Sequence, residues 1–241
     1  MVNPTTIPGT TTPPDQETPP LETGDHLTRD EFERRYDAMP GLKKAELIEG
    51  VVHVPSPLRW SRHGRPNRHV STWLGVYEAD TPGVQGGDNA TIRLDMDNEP
   101  QPDAVLIIDP ARGGQARISA DDYVEEAPEL VVEIAASSVS IDLNTKLRVY
   151  RRNRVREYVV WRALDQAIDW FILRQGRYDR LPLGADSVYR SEIFPGLWLD
   201  PAALTRFDLA QVLRVLQQGL ASPEHAAFVG RLQQAAPPAK P

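Results

Sequence analysis

The fold is decided by the stretch Pro128-Glu-Leu-Val-Val-Glu-Ile-Ala-Ala136. Its length and its β-branched side chains predict a strand that is buried inside a sheet. Glu133 interrupts this apolar run, and a buried carboxylate is costly unless a cation, a base or a metal ion compensates its charge. We therefore expect Glu133 either to pair with such a partner among apolar residues or to line a site at the edge of the sheet.

A second buried strand is predicted over residues 103–108, directly after Pro102. Taken alone, Asp103 is better explained as a turn residue that opens a strand. Glu133 on a neighbouring strand reverses that preference, because carboxylates from two strands suit Mg²⁺ or Mn²⁺, which bind oxygen ligands together with water and substrate phosphate.

Lys146 lies one helical turn after Asp142 and one turn before Tyr150, so the three side chains share a helix face. On its own, Lys146 is more simply explained as a solvated residue of that face. If the face packs against the two carboxylates, the ammonium can stabilise an attacking hydroxide or the charge of a phosphate. These residues together would supply the parts of metal-assisted phosphodiester hydrolysis.

The chain as a whole predicts one folded domain between two irregular ends. Residues 1–26 contain six prolines and seven threonines and almost nothing to bury, which predicts a disordered tail. Residues 27–234 are expected to form a single domain, and residues 235–241 a frayed C-terminus.

Periodicity and turn signals predict a mixture of helices and strands within this domain. The first helix is predicted from a capping box at Thr28 to about Pro40-Gly41, and others begin near Pro66 and Ile141. Two further helices are predicted around residues 209–216 and 223–232. The predicted strands are residues 45–54 as a hairpin around Glu49-Gly50, 90–94, 103–108, 130–135, 157–161, 167–173 and 178–183. The fold class is therefore α/β or α+β.

Composition limits the classes of function. The chain has 241 residues, a net charge of −7 and no cysteine, which excludes disulfides, thiol nucleophiles and cysteine-ligated zinc. No apolar run has the length of a membrane span and the N-terminus lacks the apolar core of a secretory signal, so we expect a cytoplasmic protein without membrane contact. The negative net charge argues weakly against a general nucleic-acid binder.

One basic segment opposes that overall charge. Residues 58–69 hold no acidic residue, and they carry Arg59, Arg62, His63, Arg65, Arg68 and His69. The four arginines either form a solvated surface or contact the backbone of DNA. His63 is either a polar loop residue or a group that positions a phosphate or a water molecule.

An ordered set of motifs runs through the chain. It comprises Glu46-Leu-Ile-Glu-Gly, Pro55-Ser-Pro57 with His63, Pro102-Asp103, Pro128-Glu-Leu-Val-Val-Glu133, Asp142, Lys146, Tyr150 and Glu157-Tyr158. Over residues 28–200 this order resembles the Uma-two family of endonucleases, within the PD-(D/E)XK or restriction-endonuclease-like superfamily. The specificity of the resemblance lies in the ordered set rather than in any single motif.

The resemblance implies a mixed central sheet flanked by helices and a metal-dependent DNA endonuclease. It implies Asp103 and Glu133 as ligands of Mg²⁺ or Mn²⁺, Glu46 as an additional acid and Lys146 as the catalytic lysine. Cutting both strands of DNA would favour a homodimer.

Two positions depart from the pattern of these families. The superfamily's usual lysine, two residues after the acid, is Ala135 here, and the family's usual Ser-Pro-Ser is altered to Ser137-Ser-Val-Ser140. The alternative function is therefore a non-catalytic module of the same fold that binds nucleic acid or a protein partner.

Overall fold

The structure, a computed structural model, describes residues 18–55 and 59–235. The helices are α1 (Arg29–Asp37), α2 (Arg65–Ala79), α3 (Leu147–Arg152), α4 (Pro201–Thr205), α5 (Leu209–Leu220) and α6 (Pro223–Ala235). The strands are β1 (Glu46–Ile48), β2 (Val51–His53), β3 (Val84–Gly87), β4 (Ile92–Arg93), β5 (Ala104–Ile108), β6 (Arg117–Ile118), β7 (Val124–Glu125), β8 (Leu130–Ala135), β9 (Glu157–Arg162), β10 (Ala167–Arg174), β11 (Arg177–Arg180), β12 (Tyr189–Arg190) and β13 (Trp198–Leu199).

Six strands form the central sheet in the order β11-β10-β9-β8-β5-β3. Strands β8 and β9 are parallel, and the other neighbours are antiparallel. A parallel pair needs a crossover, which is provided by the π-helical turn Ile141–Lys146 and α3. The predicted mixed sheet flanked by helices is therefore confirmed, and the crossover carries Lys146 over one face of it.

The side chains of β8 alternate between two cores, as the period of a strand requires. Leu130, Val132 and Ile134 enter the larger core, which they share with residues of α2, α5 and α6. Val131 and Ala135 enter the second core, which they share with residues of the α3 crossover. Glu133 lies on that second face, directly below the crossover.

The predicted start of the folded domain, at residue 27, is too late. Leu21 is 5% exposed and packs in a cluster with residues of α1 and the β1–β2 hairpin. The Gly24 N–H donates to the Val52 carbonyl at 2.9 Å, and His26 forms a β-bridge with Val51. The proline- and threonine-rich composition concealed the single leucine that anchors residues 18–26. The remainder of the predicted tail, residues 1–17, lies outside the described residues.

Several predicted element boundaries also move. Helix α1 ends at Asp37, before the predicted Pro40-Gly41 stop, because the chain already turns at Ala38 and Met39. The strand predicted at residues 90–94 shortens to β4, in a three-stranded sheet with β7 and β6. Strand β11 ends at Arg180, two residues before Pro182, which has no N–H to donate.

The two C-terminal helices are longer than predicted, and the short helix α4 precedes them. Helix α6 includes Ala235, which was expected to be frayed, whereas residues 236–241 lie outside the described residues. None of the helices in residues 18–55 and 59–235 is long and apolar enough to cross a membrane.

Candidate active site

Asp103 and Glu133 meet across two neighbouring strands. In the antiparallel pair β5–β8, Ala104 lies opposite Val132, so the next pair along is Asp103 and Glu133. The backbone N–H of Ile134 donates to Asp103 Oδ2 at 2.7 Å, which fixes this carboxylate just before β5 begins. Asp103 is 3% exposed and Glu133 4%. The structure thus brings the two predicted metal-binding residues together in a largely buried position.

Lys146 lies between Glu133 and Glu46. Its ammonium donates to one oxygen, Oε1, of each glutamate at 2.9 Å. Asp142, one turn earlier on the same face, lies 3.9 Å from the ammonium. Because Lys146 is only 5% exposed, its interpretation as a solvated helix residue is wrong. The crossover supplies the cation that the strand sequence lacks at Ala135.

The carboxylate of Glu133 has one constrained oxygen and one free oxygen. Oε1 accepts hydrogen bonds from the Lys146 ammonium and, at 2.8 Å, from the Tyr150 hydroxyl. Within the part of the chain that the structure describes, Oε2 has no hydrogen-bond donor. The carboxylate is therefore oriented by two side chains of the crossover while one of its oxygens stays available.

Glu46 reaches the site from β1. The backbone N–H of Gln101 donates to its Oε1 at 2.8 Å, so this oxygen is held from two sides. In the hairpin, Glu46 lies opposite His53. Burial lowers the pKa of His53, which favours a neutral ring beside the lysine and the carboxylates.

His63 and Lys44 both approach the carboxylate of Asp103. The Nε2–H of His63 donates to Asp103 Oδ1 at 2.8 Å, and the Lys44 ammonium lies 3.6 Å from the same oxygen. His63 is carried by the π-helical turn Trp60–Gly64, which leads into α2. The contact with Asp103 holds the His63 ring at the site, and its role towards a phosphate or a water molecule stays a prediction.

The two carboxylates have opposite pKa shifts. Burial would raise the pKa of Asp103, but the hydrogen bond from His63 and the charge of Lys44 outweigh it and hold that pKa below its usual value. Burial raises the pKa of Glu133 to about 8, opposed by Lys146 and reinforced by Asp142. Burial therefore dominates the pKa of Glu133, whereas the hydrogen bond and the nearby cation dominate that of Asp103.

The same carboxylates fix the charge of Lys146. Burial would lower its pKa, but Glu133, Glu46 and Asp142 outweigh this effect and raise the pKa well above the usual value. Lys146 is therefore a permanent ammonium, which suits it to electrostatic stabilisation and not to proton abstraction.

A pocket of about 400 Å³ opens over these groups. Its lining includes all four of the predicted catalytic residues, together with three of the predicted DNA contacts, namely Arg59, Arg62 and His63. The other two predicted DNA contacts lie elsewhere: the Arg65 guanidinium packs over the ring of Phe207 at 4.2 Å, and Arg68 is exposed on α2. The basic segment is thus split between the pocket and the helix.

Sequence reasoning missed Lys44 and His53 as pocket residues, and it did not assign Tyr150 a contact with Glu133. The position of His53 could have been found from hairpin register, since it pairs with Glu46 across the predicted turn. Lys44 precedes β1 and carries no motif, so no sequence signal marked it.

The donor set fits a hard divalent cation such as Mg²⁺ or Mn²⁺. Asp103 and Glu133 provide carboxylate oxygens on adjacent strands, and Glu133 Oε2 accepts no hydrogen bond from the residues that the structure describes. Among residues 18–55 and 59–235, no cluster of three or more His, Cys, Asp or Glu side chains is arranged to hold a metal ion. Two protein carboxylates completed by water and substrate oxygens would be a usual arrangement for Mg²⁺.

The mixed sheet thus carries paired carboxylates and a buried lysine at a pocket that is also lined by arginines. Residues 29–202 match the Uma2 family, described as "Putative restriction endonuclease". The chain therefore belongs to the Uma2 family.

The fold is also similar to a solved structure. A crystal structure from Anabaena variabilis, described as a "putative nuclease belonging to DUF820", superposes with a TM-score of 0.52 at 13% identity. The match covers 74% of this chain and 99% of that one. No curated protein shows significant sequence similarity to this chain.

Proposed function

We propose that the protein is a metal-dependent endonuclease that hydrolyses phosphodiester bonds of DNA. The observation that carries the proposal is the pairing of Asp103 with Glu133 across β5 and β8, at the wall of a pocket that also presents Arg59, Arg62 and Lys44. Buried carboxylates supply cation ligands, and the surrounding cations supply contacts for a phosphate.

Asp103 and Glu133 would hold Mg²⁺ or Mn²⁺. When bound, such an ion polarises a phosphate oxygen and lowers the pKa of coordinated water. The chain's own residues orient the ligands for it. The Ile134 N–H and the His63 ring fix Asp103, and Lys146 and Tyr150 fix Glu133 Oε1.

Lys146 contributes positive charge at the reacting phosphate. It stays protonated because three carboxylates surround it, so it stabilises negative charge as it develops on the phosphate or on the attacking oxygen. Glu46 shares this ammonium with Glu133 and limits its movement. Glu46 thus acts as the additional acid that holds the lysine in place.

Lys44 and the pocket arginines bind the DNA backbone. Lys44 lies 3.6 Å from Asp103 and lines the pocket, so a phosphate oxygen near Asp103 would also meet its ammonium. Arg59 and Arg62 are exposed at the same pocket and would contact neighbouring phosphates. A homodimer would place two such sites on the two strands of a duplex.

The test is a nicking assay on supercoiled plasmid with Mg²⁺ or Mn²⁺. We expect the wild type to convert supercoiled to open-circular DNA, EDTA to stop the reaction, and Asp103→Asn to lose it. Arg68→Ala is the matched control, because Arg68 lies outside the pocket, and it should retain cleavage. Failure of the wild type to nick any DNA with either ion would contradict the proposal.

The second candidate is a non-catalytic module that binds nucleic acid. One observation favours it: Asp103 and Glu133 already have cationic protein partners, namely Lys44 and Lys146, so the pocket does not require a metal ion to be stable. In this case the wild type would bind DNA in EDTA as tightly as in Mg²⁺ and would never cut it.

A further inference from the structure

Trp60 is exposed to an extent that is unusual for its size. Its relative exposure is 76%, the highest among the large apolar side chains that are exposed in the described residues. Trp73, Trp161 and Trp170 are each 1% exposed, and Trp198 is half-buried. Leaving a large apolar ring in water forgoes the free energy of its burial. Packing against residues 18–55 and 59–235 therefore does not explain Trp60.

The position of Trp60 is fixed relative to the site. It opens the π-helical turn, between Arg59 and Arg62, which both line the pocket. The His63 N–H donates to the Arg59 carbonyl at 2.9 Å, and the His63 ring binds Asp103. The anchored turn thus carries Trp60 between residues that line the pocket, while Trp60 itself is not part of the lining.

The ring also rests against the turn itself. A Cβ at Gly64 would lie 3.8 Å from Trp60 Cε3, which is ordinary contact distance. The Cε3 edge of the indole thus faces Gly64, and most of the residue's surface is exposed.

We propose that Trp60 is a stacking platform for an unpaired nucleobase, so that the strand whose phosphate enters the pocket is single-stranded or locally unpaired. This proposal rests on the proposed function and deepens it, because it names the substrate class of the same site. Aromatic side chains bind single strands by stacking on base faces, and every base has such a face. In a duplex those faces are covered by neighbouring bases.

The surroundings favour nucleic acid over a protein as the occupant. Residues 59–65 contain Arg59, Arg62, His63 and Arg65 and no acidic residue, which suits a polyanion that also stacks. The burial of the two carboxylates also favours a single strand. Asp103 and Glu133 are almost fully covered, and a flexible single strand can bend a phosphate into such a pocket.

The test uses the intrinsic fluorescence of the full chain and oligothymidylate in EDTA, which prevents cleavage. Wild-type emission should be quenched on saturation, and Trp60→Leu should lose this quenching. Anisotropy of labelled oligothymidylate should show at least about tenfold weaker binding by Trp60→Leu. Affinity for a blunt duplex should change less than about twofold. Trp198→Phe is the matched control and should behave as wild type, because Trp198 is half-buried.

Unchanged emission while the anisotropy saturates would overturn the proposal, as would equal oligothymidylate affinity of Trp60→Leu and wild type. Self-association lost in Trp60→Leu with unchanged DNA affinity would overturn it in favour of a protein interface. If oligothymidylate quenches Trp60 emission but no ion supports cleavage, only the nuclease assignment would be overturned. The proposal that Trp60 stacks on a nucleobase would be retained. Absence of any DNA binding would overturn both.

Discussion

Glu129 and Glu133 lie four residues apart on one stretch of chain, and both are buried, yet their partners differ in kind. Glu129 is fully buried and accepts hydrogen bonds from the backbone N–H groups of Ile108 at 2.9 Å and Gln115 at 2.8 Å. Glu133 accepts from the side chains of Lys146 and Tyr150 and lines the pocket.

This difference indicates which buried carboxylates are candidates for metal binding or catalysis. Burial raises the pKa of both glutamates, so the direction of the shift does not distinguish them. Backbone donors have fixed positions and no charge, and they link the end of β5 and a following loop to Glu129. Ionisable side-chain partners and an open oxygen make Glu133 responsive to a bound cation. Each prediction below tests this distinction.

The largest expected effect is on cleavage by a matched pair of variants. Glu133→Gln should reduce plasmid nicking by about three orders of magnitude or more, because it removes an anionic ligand of the metal ion. Glu129→Gln should keep wild-type nicking per folded molecule, since it changes only contacts with Ile108 and Gln115, outside the pocket. The measurement is the rate of plasmid nicking by each variant, normalised to the amount of folded protein by circular dichroism. Equal losses of nicking in both variants would show that Glu129 and Glu133 do not differ in function.

The next prediction concerns Lys146, the cationic partner of Glu133. Lys146→Met should lower nicking by roughly two to three orders of magnitude, because the ammonium no longer stabilises charge on the phosphate. DNA binding by anisotropy should stay within about twofold of wild type. Leaving Glu46 and Glu133 without their cation should also lower the free energy of unfolding by about 3–5 kcal/mol.

The control for that variant is Tyr150→Phe. It removes one hydrogen bond from Glu133 Oε1 and keeps the ammonium, so its effect on nicking should be no more than about tenfold. Loss of activity in Tyr150→Phe as large as in Lys146→Met would assign the effect to positioning of Glu133 and not to the charge of the lysine.

Glu129 should matter for stability. Glu129→Ala leaves the Ile108 and Gln115 N–H groups without an acceptor, at about 1–3 kcal/mol for each buried group, and urea denaturation should show the loss. Glu129→Gln keeps one carbonyl acceptor and should lose less. A Glu129→Ala variant as stable as wild type would show that the backbone hydrogen bonds are not the reason for this residue.

The smallest effect concerns the basic segment, which shows the same dependence on position relative to the pocket. Replacing Arg59 and Arg62 by alanine should flatten the dependence of log K for DNA on log salt by roughly 1 to 2. Replacing Arg65 and Arg68 should change it less, because Arg65 packs over Phe207 and Arg68 is on the helix. Equal changes in slope for the two pairs would place the DNA along α2 as well.

Much of the fold followed from local signals that the tertiary structure respects. The apolar runs of β5 and β8 and the stripe of α2 need little context to be recognised. Leu21 was not recognised as a core residue because a single apolar residue among prolines produces no hydrophobic periodicity. The β4 segment shortened because short strands depend on their neighbours in a small sheet.

The site was predictable where a residue broke a pattern, and it was not where contact depended on the fold. Glu133 interrupts an apolar strand, and Lys146 lies on the same helix face as Tyr150. Lys44 and the π-helical turn that aims His63 have no local signature. Glu129 shows a further limit of prediction from the sequence, because its sequence context resembles that of Glu133. Only the identity of their hydrogen-bond donors separates the roles of the two glutamates.

The central claim is tested most directly by calorimetric titration of Mn²⁺ and Mg²⁺ into four proteins without DNA: wild type, Asp103→Asn, Glu133→Gln and Glu129→Gln. The account predicts binding to wild type and to Glu129→Gln and none to the other two, because the ion needs carboxylates from both strands. Unchanged metal affinity in Asp103→Asn and Glu133→Gln, or its loss in Glu129→Gln with the fold intact, would contradict the account.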